Sequence, residues 1–176
     1  VCLVLMLSLL LCACGNGGTQ AEPNTPVGPG TPSVGPGNTE KPSEDAIPSV
    51  NGVSLLKEGS CGTSATFQLY ENGVLVVSGS GTVTEEFVKF NTYIKYIKVE
   101  EGVTSLGNKV FAGLKSCVRA ELPSTLKSID VAAFANSSKL KTVNLPQGLE
   151  SVGTNAFYFT GLTNLEIPGS VTSMGD

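Results

Sequence analysis

The sequence predicts a mainly β solenoid. Its coils run to about 23 residues with short parallel strands, and a β-hairpin caps it N-terminally. Three observations carry this reading. The pattern Leu140-Lys-Thr-Val-Asn-Leu-Pro-Gln-Gly-Leu-Glu-Ser-Val-Gly-Thr-Asn-Ala-Phe157 recurs 23 residues earlier at Cys117–Phe134 and again at Ile94–Phe111, and it restarts at Leu162. Within each copy the leading apolar residues stand three and then two apart, which places the last two on one face of a strand. Ahead of the copies, Asn72-Gly73 separates two β-prone runs.

Each coil position has a physical role. The strand opens at Ile94, Cys117, Leu140 and Leu162. It continues through Ile97, Ala120, Val143 and Leu165, then Val99, Leu122, Leu145 and Ile167. Pro123, Pro146 and Pro168 follow, with Glu100 in the first coil. Proline has no N–H to donate, so it marks where the strand leaves its ladder. Val103, Leu126, Leu149 and Val171, then Leu106, Ile129, Val152 and Met174, floor the returning segment. Gly107, Asp130, Gly153 and Gly175 are expected at a turn with positive φ. Phe111, Phe134 and Phe157 are expected to stack coil on coil. One coil cannot bury these residues alone, so stability comes from neighbours.

The region 53–93 reads as the lead-in and cap. Thr66–Tyr70 and Val74–Ser78 flank Asn72-Gly73, and a type I′ turn there needs positive φ at both positions. Such a hairpin covers the open strand edge and apolar end of the first coil. Residues 94–176 are the repeats, cut in the fourth.

The N-terminus reads as an export and anchoring device. Residues 1–13 are almost wholly apolar, too short for a bilayer span of about 20 residues but suited to the core of a signal peptide. Leu11-Cys12-Ala13-Cys14 resembles the bacterial lipobox, which implies cleavage before Cys14 and lipidation of its thiol. Residues 14–52 then form a Pro-, Gly- and Thr-rich tether, with Val-Gly-Pro-Gly written twice. That composition cannot offset its ordering entropy and is expected to be disordered, with a reach of roughly 30 Å as a coil. A first residue that is not Met and a fourth coil cut mid-turn are expected of a fragment.

Composition narrows the function. The chain has 11 Lys+Arg against 15 Asp+Glu and no basic run, so no nucleic-acid partner is expected. It has no His, which removes Ser-His-Asp and Cys-His catalysis and the commonest nitrogen ligand of zinc. No cofactor, metal site or catalytic residue is expected. Adjacent carboxylates at Glu85-Glu86 and Glu100-Glu101 read as solvated charge. Gly79-Ser-Gly-Thr lacks the Lys of a phosphate loop and reads as a turn. Cys61 and Cys117 have the option of a disulfide outside the cell, but Cys117 holds a repeated apolar position and reads as a small buried hydrophobe. Two columns alternate away from the core: Tyr96, Arg119, Thr142 and Asn164, and Lys98, Glu121, Asn144 and Glu166. They form the candidate binding face, weighed against a merely solvated surface.

Leu145-Pro-Gln-Gly-Leu-Glu-Ser-Val-Gly-Thr-Asn-Ala-Phe157 resembles the BspA-like leucine-rich repeats of bacterial surface proteins. The lead-in Ser60-Cys-Gly with Gly73–Gly81 is similar to the segment preceding such repeats. Glu100 in the proline position, Asp130 in the glycine position and Val110 in place of alanine depart from the pattern. The resemblance implies a cell-surface role in binding or adhesion to proteins or other cells and carries no catalytic residues; taken with the lipobox it gives the expectation of a protein that is not an enzyme, lipid-anchored on the outer face of a bacterial membrane. The alternatives are a targeting or spacer module of a larger surface enzyme, or a wall protein without a partner. A Cys14→Ala chain expressed in bacteria is expected to lose fatty-acid labelling and leave the membrane fraction; equal labelling would refute the anchor.

Overall fold

The lead-in builds three antiparallel strands, one more than the hairpin expected from the sequence. The computed structural model describes residues 46–176, so the signal peptide, Cys14 and most of the tether lie outside the described residues. Strand β1 is Leu55–Ser60, β2 is Ser64–Tyr70 and β3 is Val74–Val83. Ala65, Phe67 and Leu69 of β2 point into the core, as the alternation requires. The Asn72-Gly73 connection differs from the expected two-residue turn. The loop spans residues 71–73, with Gly73 N–H donating to Tyr70 C=O at 2.9 Å. Of the pair only Gly73 has positive φ, 85°. This is the three-residue hairpin, a turn followed by a left-handed residue. The Asn72 carboxamide stabilises it by accepting the Val74 N–H at 3.2 Å.

Strand β3 is the start of the solenoid. Its Leu75–Ser80 stretch pairs antiparallel with β2 on one side, and Val74–Val77 pairs parallel with β4 (Tyr96–Val99) on the other. Its second half, from Gly81 to Val83, pairs parallel with β5 (Val103–Leu106) after a register shift. Gly79, at φ 104°, makes the bend; a Cβ there would stand 2.2 Å from the Ser64 carbonyl oxygen. From β3 two parallel ladders run in step. The first continues to β6 (Arg119–Glu121) and β8 (Thr142–Val143). The second continues to β7 (Ser128–Ile129), β9 (Ser151–Val152) and β10 (Ser173–Met174). The solenoid is thus the predicted one, with a coil more than the repeats revealed: Val74–Phe87 supplies both strands and the core aromatic of a coil.

The core confirms the stacked phenylalanines and extends them. Ring centroids lie 5.5 Å apart for Phe87–Phe111, 5.3 Å for Phe111–Phe134 and 5.4 Å for Phe134–Phe157. Phe67 of β2 closes the column edge-on, 5.1 Å from Phe87 at 88°. Edge-to-face contact suits a terminal ring, because its positive edge meets the negative face of the last one in the stack.

The glycine expectation is corrected. Gly107, Asp130, Gly153 and Gly175 do not have positive φ. Glycine is needed at Gly107 and Gly153 for close approach: a Cβ would stand 2.7 Å from the Val83 carbonyl oxygen and 2.6 Å from the Asp130 carbonyl carbon. Positive φ falls two residues later, at Lys109 (56°), Ala132 (57°) and Asn155 (57°), and recurs at Gly113 (70°), Asn136 (61°) and Phe159 (52°). These residues turn the amides of the third side toward the next coil. Lys109, Phe111 and Gly113 donate to the carbonyls of Val131, Ala133 and Ala135 at 3.1, 2.8 and 2.7 Å. Ala132, Phe134 and Asn136 repeat the set onto Thr154, Ala156 and Tyr158.

The fourth coil departs from the repeat. Its Leu162–Ile167 stretch forms no strand, and Ile167 and Met174 are 43% and 55% exposed. Among the described residues it has a neighbour on one side only, so ladder bonding and burial are halved there. Replacing Phe134, fully buried between two rings, by Ala is expected to destabilise the fold by about 3–5 kcal/mol. Phe157→Ala is expected to cost less, because Phe157 is only partly buried. Urea unfolding of the two variants checks the order.

Candidate binding face

The first ladder sets the outward columns by register. Tyr96 pairs with Val74 and Arg119, and Arg119 with Thr142. Lys98 pairs with Val76 and Glu121. The two columns of the sequence reading are therefore brought together, and each begins one coil earlier, at Val74 and Val76. The spacing was legible: Val74-Leu-Val-Val77 lies 22 residues before Tyr96-Ile-Lys-Val99 with the same inward Leu75/Ile97 and Val77/Val99. Asn164 and Glu166 lie outside any strand.

The strand ends create the relief of this face. A depression of about 710 Å³ is lined by Lys98, Val99, Glu100, Glu101, Arg119, Glu121, Leu122, Pro123 and Asn144. A second of about 460 Å³ follows along the face and includes Asn164 and Glu166. A third of about 310 Å³ lies at the head, where Ile47–Asn51 meet Val74, Val76, Lys98, Glu100 and Glu121. Glu100, Glu101 and Pro123 were not read as part of the face, since they stand after the alternating stretch rather than in it.

Two ion pairs lie on the face, and Glu101 and Glu166 add negative charge beside them. Arg119 Nε lies 3.2 Å from Glu121 Oε1, and Lys98 Nζ lies 4.0 Å from Glu100 Oε1. Ser78 Oγ donates to Glu100 Oε2 at 2.9 Å. Exposed pairs of this kind contribute at most about 1 kcal/mol and leave the side chains free to rearrange around a partner. Asn144 is different. Glu100 N–H donates to the Val77 carbonyl at 2.8 Å, but Pro146 has no N–H for the equivalent Leu122 carbonyl. Asn144 replaces it, with Nδ2 donating to Leu122 C=O at 3.2 Å and Oδ1 accepting Leu122 N–H at 3.1 Å. Both ends of this amide are engaged by the neighbouring coil, so Thr142 is the freer of the third coil's two outward residues.

Glu101 also binds the chain itself. Its carboxylate accepts the Ser124 and Thr125 N–H groups at 3.0 and 3.2 Å and the Ser124 hydroxyl at 3.0 Å. The Ser124 N–H is the foremost cause holding this carboxyl below its ordinary pKa. The two cysteines are buried and free. Burial pushes the Cys61 thiol up to about 11 and the Cys117 thiol up to about 12. Neither thiol has thiolate character near neutral pH, in keeping with the reading of Cys117 as a small hydrophobe. Among the described residues no three of Cys, Asp and Glu gather as a metal site. The outward side chains of the face are charged, amide-bearing or hydroxyl-bearing, with its aliphatic residues Val99 and Leu122 turned into the core.

Two parallel ladders, a phenylalanine column and a coil of leucine-rich spacing define the class: a leucine-rich repeat solenoid. The chain belongs to the BspA type leucine rich repeat family, which matches residues 82–176 in six copies. Its fold is similar to that of a leucine-rich repeat protein from Eubacterium ventriosum, at 23% identity and a TM-score of 0.57, over 68% of this chain and 40% of that one. It is also similar to a leucine-rich repeat protein from Bacteroides ovatus, at 19% identity and a TM-score of 0.55, over 75% of this chain and 37% of the other. This chain thus spans two fifths or less of the length of either. No curated protein matches it.

The Glu101 contact carries a pH dependence. A carboxyl held below its unfolded pKa stabilises the fold above that value, and the contribution is lost as pH falls through the folded pKa. Glu101→Gln is expected to flatten the decline of the urea midpoint below the ordinary carboxylate pKa; an unchanged slope would refute it.

Proposed function

We propose that this chain is a lipid-anchored cell-surface protein whose solenoid binds extracellular proteins or cell-surface ligands through the outer face of the first ladder. One observation carries the reading: columns in strict register open onto a depression of about 710 Å³ whose outward side chains are Lys98, Arg119, Glu121 and Asn144, with Glu100 and Glu101 at its edge. A surface of this kind recognises by shape and complementary polarity rather than by bond-making. The described domain is non-catalytic in this reading. The tether and Cys14 supply distance from the membrane and attachment to it.

The chain displayed on a surface is expected to retain extracellular-matrix proteins or cultured cells. The triple variant Lys98→Ala, Arg119→Ala, Glu121→Ala is expected to lose at least about tenfold in affinity, as truncation of a central cluster does, at an unchanged urea midpoint. Equal retention by both forms would overturn the assignment to this face.

A further inference from the structure

The basic residues of the coils are not scattered. Segments 87–99, 107–120, 131–149 and 151–165 contain no Asp or Glu, yet Lys95, Lys115, Lys139 and Lys141 lie within them. Folding brings these four lysines to one corner, where the third side of each coil turns back into the first ladder. Backbone pairing sets successive coils over one another there. Val118 N–H donates to the Lys95 carbonyl at 2.8 Å and Lys141 N–H to the Val118 carbonyl at 2.9 Å. Ser116 N–H, next to Lys115, donates to the Asn91 carbonyl of the coil before at 3.3 Å. Ser137, 1% exposed, braces the corner from within: its hydroxyl accepts the Leu114 N–H at 3.2 Å and donates to the Phe111 carbonyl at 2.9 Å. All four lysines are exposed, and among the described residues none of them takes part in an ion pair. Lys98 and Arg119, by contrast, are matched by Glu100 and Glu121. A strip of unmatched positive charge thus runs along the solenoid axis of a chain whose net charge is -4.

We propose that this corner binds a linear polysaccharide of uronic acid, laid along the solenoid axis. The strip lies beside the ladder face and is independent of the binding role assigned to that face. Three of its features select the partner. Sign is the first: ammonium groups without acidic neighbours in their own segments favour a polyanion. Spacing is the second. Lys95, Lys115 and the Lys139–Lys141 pair stand at the entry to three successive coils, and paired strands of neighbouring coils lie about 4.8 Å apart. A polyuronate carries one carboxylate per hexose, a unit about as long as a coil is deep. Duplex DNA presents about one charge per 1.7 Å, far denser than one or two lysines per coil, and the net negative charge of the chain repels it. The third feature is Tyr93, 57% exposed close to Lys95, whose ring offers an apolar surface to the C–H face of a sugar. Lysine suits carboxylates strung on a flexible chain, because its compact ammonium on a long stem demands no fixed fork geometry.

The test titrates the full chain with polygalacturonate at low and at physiological salt. Binding is expected, and it is expected to weaken as ionic strength rises, since exposed charges are screened. The triple variant Lys115→Glu, Lys139→Glu, Lys141→Glu is expected to lose at least about tenfold in affinity at an unchanged urea midpoint. Lys→Arg at the same three positions keeps the charge and is expected to bind within about twofold of the parent. A control variant, Lys57→Glu, Lys109→Glu, Lys127→Glu, alters the net charge equally but off the corner. At physiological salt it is expected to stay within about threefold of the parent. Three outcomes would overturn the proposal. One is no binding of polygalacturonate. Another is an equal loss in the corner and control variants, which would mean that net charge alone decides. The third is binding of polyglutamate or single-stranded DNA as tight as that of polygalacturonate, which would mean that the strip does not read a sugar.

Discussion

Coil-on-coil backbone pairing is the constraint on which everything else depends, and β3 sets it. A solenoid coil has no core of its own; its carbonyls and amides find partners only in the coils before and after. Strand β3 provides the first such partner for both ladders at once, Val74–Val77 for one and Gly81–Val83 for the other. The antiparallel β1 and β2 cover the other edge of β3's first half, which would otherwise be an open strand. Phe67 performs the same office for the aromatic column, closing it at Phe87. The cap and the first coil are therefore one object, with β2 as its lid and β3 as its template.

The third side shows how a solenoid turns corners without strands. Two left-handed residues per coil, such as Ala132 and Asn136, orient three amides toward the next coil while the side chain of Phe134 enters the core. Left-handed φ costs a non-glycine residue about 1 kcal/mol or more. Three inter-coil hydrogen bonds and a buried phenyl ring offset it. Glycine is spent elsewhere, at Gly107 and Gly153, where backbone meets backbone too closely for a Cβ. The same residue type thus answers two different demands in one repeat, and only Gly113 answers the conformational one within the coils' third side.

The outer face of the first ladder carries two ion pairs and a modest excess of carboxylate from Glu101 and Glu166. Arg119 faces Glu121 and Lys98 faces Glu100, which neutralises the centre of the face. Discrimination on such a surface comes from shape: the ends of the strands, marked by Glu100, Pro123 and Pro146, leave depressions between coils. Asn144 repairs the hydrogen bond that Pro146 cannot make, which keeps the third coil in register while removing its amide from the binding surface.

The period, the inward residues of each coil and the phenylalanine column were determined by sequence alone, because every coil must present the same side chains at the same depth to stack on its neighbours. Two alternating columns could likewise be read from the strand pattern, since period 2 leaves no other orientation for Arg119 or Lys98. Tertiary structure decided what periodicity does not encode. Val74–Phe87 became a coil because β3 is shared between two ladders, a double pairing that its legible 22-residue spacing does not by itself specify. Gly107 proved to serve close approach because that need arises from the position of Val83 in another coil. Ile47–Asn51 joined the ladder face through Asn72 and the two valines, although local composition reads as tether. In each case the deciding contact lies some 20 or more residues away, beyond the reach of any local pattern.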